Sequence, residues 1–107
     1  SLSYDRQVKT AYIDSTGLCS FVTLSTQDLP YGDQAIIDLI NAKYGCNWTD
    51  EDVIKYGKKV LRIEKEFNKA AGLNEAHDRL PEFMIEEPLP PHNHVFDVPD
   101  TEFDKVL

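Results

Sequence analysis

The segment Asp14-Ser15-Thr16-Gly17-Leu18-Cys19 gathers, within six residues, the side chains of this sequence best suited to hold a ligand. Asp14 offers a carboxylate that accepts hydrogen bonds. Gly17 lets the backbone turn and come close to a bound group, and Cys19 offers a sulfur that ligates metal as a thiolate. Taken alone, the same pattern fits a structural cysteine packed behind a turn, because free cysteine is among the most buried residue types. One sulfur cannot build an iron–sulfur centre, which usually takes four.

Other constellations fail. His77, His92 and His94 have no neighbouring cysteine and no helical H-x-x-x-H pairing, so they read as surface histidines. Cys19 and Cys46 are too far apart for a C-x-x-C clip and too few for a disulfide scaffold. No G-x-S-x-G, Walker loop or G-x-G-x-x-G occurs. Glu86-Glu87 and Asp50-Glu51-Asp52 fit a solvated stretch and a helix start better than an acid–base pair. Lys58, Lys59, Arg62 and Lys65 form a basic stripe of the kind that usually faces water. Asn47-Trp48-Thr49 matches a glycosylation triplet, as chance often allows, and Thr49 is better used as a helix cap.

Composition narrows the partners. A chain of 107 residues has room for one domain, so residues 1–107 are expected to form a single helical domain. The formal charge of -8 repels a polyanion, which argues against nucleic acid. With 41% hydrophobic residues, five Phe, five Tyr and Trp48, the chain can form a core rather than a disordered acidic tail. No apolar run reaches the ~20 residues of a membrane helix, and Ser1 to Arg6 lack the features of a secretion signal. The expected setting is soluble and cytoplasmic, with no membrane partner.

The elements that must position the motif are helices. Asp50 to Ala71 has Thr49 as its cap, acids in the first turn, apolar residues at three- and four-residue steps, and Gly72 at the stop. A second helix is predicted from Tyr31 or Gly32 to Tyr44, with Pro30 at its start and Gly45 at its end. The short Gly45-Cys46-Asn47-Trp48 link makes these a central αα-hairpin, with Trp48 plugging its open end. Tyr4 to Tyr12 is predicted helical, broken by Asp14-Ser15-Thr16-Gly17. Cys19 to Leu24 fits a short strand or another helical turn equally well. From Leu80 to Pro99 the prolines predict an extended strap, and Pro99-Asp100-Thr101-Glu102 a helix start reaching toward Leu107. The fold class is therefore all-α, a small helical domain with a central αα-hairpin and a proline-rich strap.

The D-x-x-G-L-C pattern at Asp14 to Cys19 resembles the second such motif of the tungsten-containing aldehyde ferredoxin oxidoreductase family. Further blocks keep that family's order: Asn41-Ala42-Lys43-Tyr44-Gly45, Trp48-Thr49, Gly57, Arg62 to Asn68, Gly72 and Asp78-Arg79-Leu80-Pro81. The resemblance implies a parent enzyme that oxidises aldehydes to carboxylic acids and passes electrons to ferredoxin, using a bis-pterin tungsten (or molybdenum) cofactor beside one [4Fe-4S] cluster. It implies that Cys19 is the last cluster ligand and that Asp14 hydrogen-bonds a pterin ring, with the backbone of Gly17 and Leu18 close to the same pterin. Cys46 matches no ligand position. The family's other cluster cysteines, its pterin-binding amino-terminal domain and its catalytic Glu and His lie upstream of this motif. The 107 residues alone are thus expected to be inactive and without a cluster, a piece whose partners are the remaining domains of the parent and, for self-association, further copies.

A rival reading from another class is a small acidic helical module that binds a protein partner and has no redox chemistry. An independent thiol redox protein is a third, disfavoured because neither cysteine lies in a C-x-x-C or at an evident helix N-terminus. On the first reading, Ile13 to Phe21 is a mobile loop facing a cofactor, and apolar surface at Phe21, Val22 and Leu24 is exposed or covered by self-association.

Overall fold

The computed structural model describes residues 2–104. Helices α1 (Leu2–Thr16), α2 (Ser20–Gln27), α3 (Gly32–Tyr44) and α4 (Asp50–Ala70) are followed by a 3-10 turn (Glu75–His77) and the short helices α5 (Glu82–Glu86) and α6 (Asp100–Phe103). Among the described residues there is no strand, only an isolated bridge between Leu89 and His94. The fold is all-α, as the periodicities predict. Two compact units divide it, one up to Glu64 and one from Lys65 onward.

The core of the first unit is small and drawn from three helices. Tyr12 and Ile13 of α1, Ile36 and Ile37 of α3, and Val53 of α4 are buried together, with Leu18, Ile40 and Trp48 packed against them. Each buried Ile or Val contributes about 1.5–3 kcal/mol relative to an exposed one. Helix α1 also crosses α4 closely, for a Cβ on Gly57 would collide with the Val8 carbonyl oxygen. Lys9 adds a half-exposed ion pair to Asp33 at 2.7 Å, worth at most about 1 kcal/mol.

The hairpin of α3 and α4 keeps the predicted boundaries, although Tyr31 at the start of α3 makes no side-chain cap bond. Gly45 takes a left-handed φ of 65° and donates to the Asn41 carbonyl at 2.8 Å. The Asn41 side chain then clamps the link. Its Nδ2 donates to the Trp48 carbonyl at 3.0 Å, and its Oδ1 accepts from the Trp48 N–H at 2.8 Å. Trp48 lies half-buried against the core, its ring 5.3 Å from that of Tyr56, which is the plug the sequence predicts. Thr49 precedes α4, and Asp52 reaches back to accept from both the Thr49 N–H and its hydroxyl at 2.9 Å. At the far end Gly72 (φ 91°) donates to Lys69, and Leu73 donates to Asn68, closing the helix in a Schellman arrangement.

Other expectations change. Helix α1 does not break at Asp14 but runs on to Thr16. The Ser15 and Thr16 hydroxyls donate to the carbonyls of Ala11 and Ile13, so they spend their hydrogen bonds inside the last turn instead of competing with it. The undecided stretch after Cys19 is a helix, α2. The proline-rich span is not extended throughout. Pro81 stands at the N-cap of α5 rather than within it, so Glu82–Glu86 is free to coil, and Leu89–His94 closes a turn that contains a cis Pro90–Pro91 bond. The C-terminal helix start is α6, with Pro99 at its N-cap. Residues 105–107, where it was expected to continue, lie outside the described residues.

Candidate functional site

The motif is shaped from both ends. Asp14 lies in the last turn of α1 with its carboxylate on the surface, and no described side chain pairs with it. The Asp14 carbonyl accepts from the Gly17 N–H at 3.2 Å, and Gly17 ends the helix at φ +76°. A Cβ there would meet nothing within 4 Å, so the requirement at Gly17 is conformational rather than spatial. Thr16 pins the turn. Its hydroxyl donates to the Ile13 carbonyl at 2.6 Å and accepts from the Leu18 N–H at 3.1 Å. Leu18 in turn anchors the connection by packing on the core.

Cys19 is the N-cap of α2. Its carbonyl accepts from the Val22 and Thr23 N–H groups at 3.0 and 3.2 Å, while its thiol is free and exposed. This corrects the expectation that neither cysteine stands at a helix N-terminus. The Ile13-to-Phe21 segment is correspondingly less of a loop than expected, with only Gly17 to Cys19 lying between α1 and α2. The backbone thus brings a carboxylate acceptor and a sulfur to the two ends of one short connection, both exposed to solvent.

Open space flanks it. Asp14 and Ser15 line a groove of about 620 Å³ with Arg6, Gln7, Thr10 and Glu64. Thr16 and Leu18 line a cleft of about 520 Å³ whose other walls include Ile40, Tyr44, Trp48 and Tyr56. Cys46 belongs to the hairpin link. It is half-buried, with its sulfur 3.2 Å from Asn41 Oδ1.

The remaining sequence candidates have local roles. His77 Nδ1 accepts from the Asn74 N–H at 3.1 Å in a capping box, and His92 and His94 stack in the turn at 6.4 Å. Among the described residues no group of three or more His, Cys, Asp or Glu could hold a metal. The sequence reading missed Thr16 and Asn41. A threonine just before a helix-ending glycine, and an asparagine four residues before another, were the available signs.

The donor set at the motif, one free thiol and one unpaired carboxylate, is chemically suited to one corner of an iron–sulfur cluster and to the N–H edge of a heterocycle. A family model described as "Aldehyde ferredoxin oxidoreductase, domains 2 & 3" matches residues 2–107. The chain belongs to the aldehyde ferredoxin oxidoreductase family. The tungsten-containing aldehyde ferredoxin oxidoreductase of Pyrococcus furiosus is 43% identical over 82 residues, covering 76% of this chain and 13% of that protein. Its namesake from Pyrococcus abyssi is 38% identical over the same coverage, and that of Thermococcus kodakarensis 38% over 81 residues. The chain therefore spans about an eighth of the length of these curated relatives. No solved structure matches it. Membership in the aldehyde ferredoxin oxidoreductase family sets aside the reading of an interaction module without redox ancestry. Within the described residues no helix is long and apolar enough to cross a membrane.

Proposed function

We propose that this chain is the C-terminal helical domain of an aldehyde:ferredoxin oxidoreductase, in which Cys19 ligates one iron of a [4Fe-4S] cluster and Asp14 hydrogen-bonds a pterin of the tungsten (or molybdenum) cofactor. The observation that carries the reading is the pairing of an unpaired Asp14 carboxylate with a free Cys19 thiol across one pinned connection. When bound, the cofactors would supply oxidation of an aldehyde and water to a carboxylic acid, two protons and two electrons, with single-electron delivery to ferredoxin.

This chain's residues do the holding. Asp14 accepts from amino and ring N–H groups, charge-assisted bonds worth roughly 1.5–3 kcal/mol each. Gly17 and Leu18 bring their backbone close to the same ring, with their N–H groups already held by the Asp14 carbonyl and the Thr16 hydroxyl, and Leu18 keeps its side chain on the core so that the turn does not shift. Cys19 fixes one ligand atom beside the first turn of α2, whose unpaired N–H groups favour negative charge nearby. A reducing cytoplasm keeps both cysteines as thiols.

The experiment is a pair of substitutions in the full-length parent. Asp14→Asn places an amide donor against pterin donors and should lower pterin and tungsten content per polypeptide while leaving iron in place. Cys19→Ser should lower iron. Equal retention of metal and pterin in both variants would refute the assignment.

A further inference from the structure

Helix α2 is inside out. Its buried residue is Thr23, 6% exposed, whose hydroxyl returns to the Ser20 carbonyl at 2.8 Å. Its large apolar residues point the other way, with Phe21 78%, Val22 54% and Leu24 53% exposed. A helix that stood at the surface for good would carry the reverse pattern, with apolar residues toward the core. Three large, exposed apolar side chains on one eight-residue helix are the kind of surface that marks an interface.

Resting on the proposed role of Cys19, we infer that the outward face of α2 is the seat of the part of the parent polypeptide that carries the other cluster ligands. The amount of missing chain makes this occupant the natural one, since the matched relatives extend far beyond the 13% of their length found here. Position selects it as well. Cys19 caps the same helix that carries the patch, and Phe21 and Val22 follow it within one turn. Any segment completing the ligand set around that sulfur must come up to the first turn of α2, where Phe21 and Val22 would be covered in the same step. Burying them would exclude water from the sulfur, and it would leave Thr23 facing this chain's own helices as it does now.

The test places a photo-reactive phenylalanine analogue at Phe21 in the full-length parent, with Leu24 as a second site and exposed Asp38 of α3 as control. After illumination and digestion, cross-linked peptides are identified by mass spectrometry, and iron content is measured in parallel for Cys19→Ser. Expected are cross-links from Phe21 and Leu24, several-fold above the Asp38 control, to cysteine-bearing peptides from outside residues 1–107. Cross-links only to a second copy, or none above control, would overturn the inference, whatever Cys19→Ser shows. Cross-links to outside peptides with unchanged iron in Cys19→Ser would keep the docking face and remove the ligand reading beneath it.

Discussion

Tyr12 is buried in the core of the first unit, and its hydroxyl has no partner among the described residues. Burial, with Asp33 and then Asp50 adding repulsion, pushes its ionisation up to about 12. The unfolded chain releases this proton near 10, so between that value and about 12 the unfolded state is favoured by deprotonation and stability falls as pH rises. Urea unfolding should be flat with respect to this group below pH ~10 and decline above it. Tyr12→Phe should flatten the decline and raise stability at neutral pH by about 1 kcal/mol, because it removes a buried hydroxyl without leaving a partner unsatisfied. A loss of stability in Tyr12→Phe would mean that the hydroxyl is bonded after all. At Gly17 the left-handed φ sets the cost. Gly17→Ala should lower the melting temperature by the equivalent of about 1–2 kcal/mol although nothing obstructs the added methyl group.

Helix α4 shows how much an element depends on its crossing point. Alanine is a better helix former than glycine by about 1 kcal/mol, so an unpacked Gly57 would gain from substitution. Here the new methyl meets the Val8 backbone oxygen, which cannot rotate away, and Gly57→Ala should lower the urea midpoint by the equivalent of about 1–3 kcal/mol. At the other end of the scale of constraint, the Asp52 carboxylate is held below its ordinary range, first by the Thr49 N–H and then by the Thr49 hydroxyl. Its contribution is therefore present above the usual carboxylate pKa and is lost as pH falls through its lowered value. The helical signal of the chain should weaken on acidification over that window, and less so in Asp52→Asn. The same caps explain what was legible in the sequence. Helices α3 and α4 were found nearly to the residue because Gly45, Thr49 and Gly72 mark their ends and their apolar residues face the core. Helix α2 was not, because the one buried residue among those of it whose burial is described is a threonine and its apolar side turns outward, so periodicity had no core to point to. With α2 undecided, the N-cap position of Cys19 could not be seen. The end of α1 was misplaced for a different reason, since Ser15 and Thr16 support the last turn through their hydroxyls where composition suggests a break.

At the scale of the whole chain the two units differ in what holds them. Up to Glu64 there is a core. From Lys65 onward, Leu80 is half-buried and every other residue whose burial is described is exposed, including Phe83, Met84, Ile85 and Leu89. Arg79 pairs with Asp104 at 2.8 Å, but partly exposed ion pairs contribute little. Amide hydrogen exchange should therefore be fast across α5 and α6 in the 107-residue chain and markedly slower for the same peptides in the full-length parent. Equal exchange in both would mean that nothing in the parent covers this segment. The proposed role of Cys19 is narrower, one corner of a cluster completed by other residues. The most direct measurement is the low-temperature electron paramagnetic resonance spectrum of the chemically reduced full-length parent, compared with its Cys19→Ser variant. The reduced four-iron signal of the parent should be lost in the variant, or replaced by that of a cluster lacking one iron. A variant spectrum with the parent's line shape and spin count would contradict it.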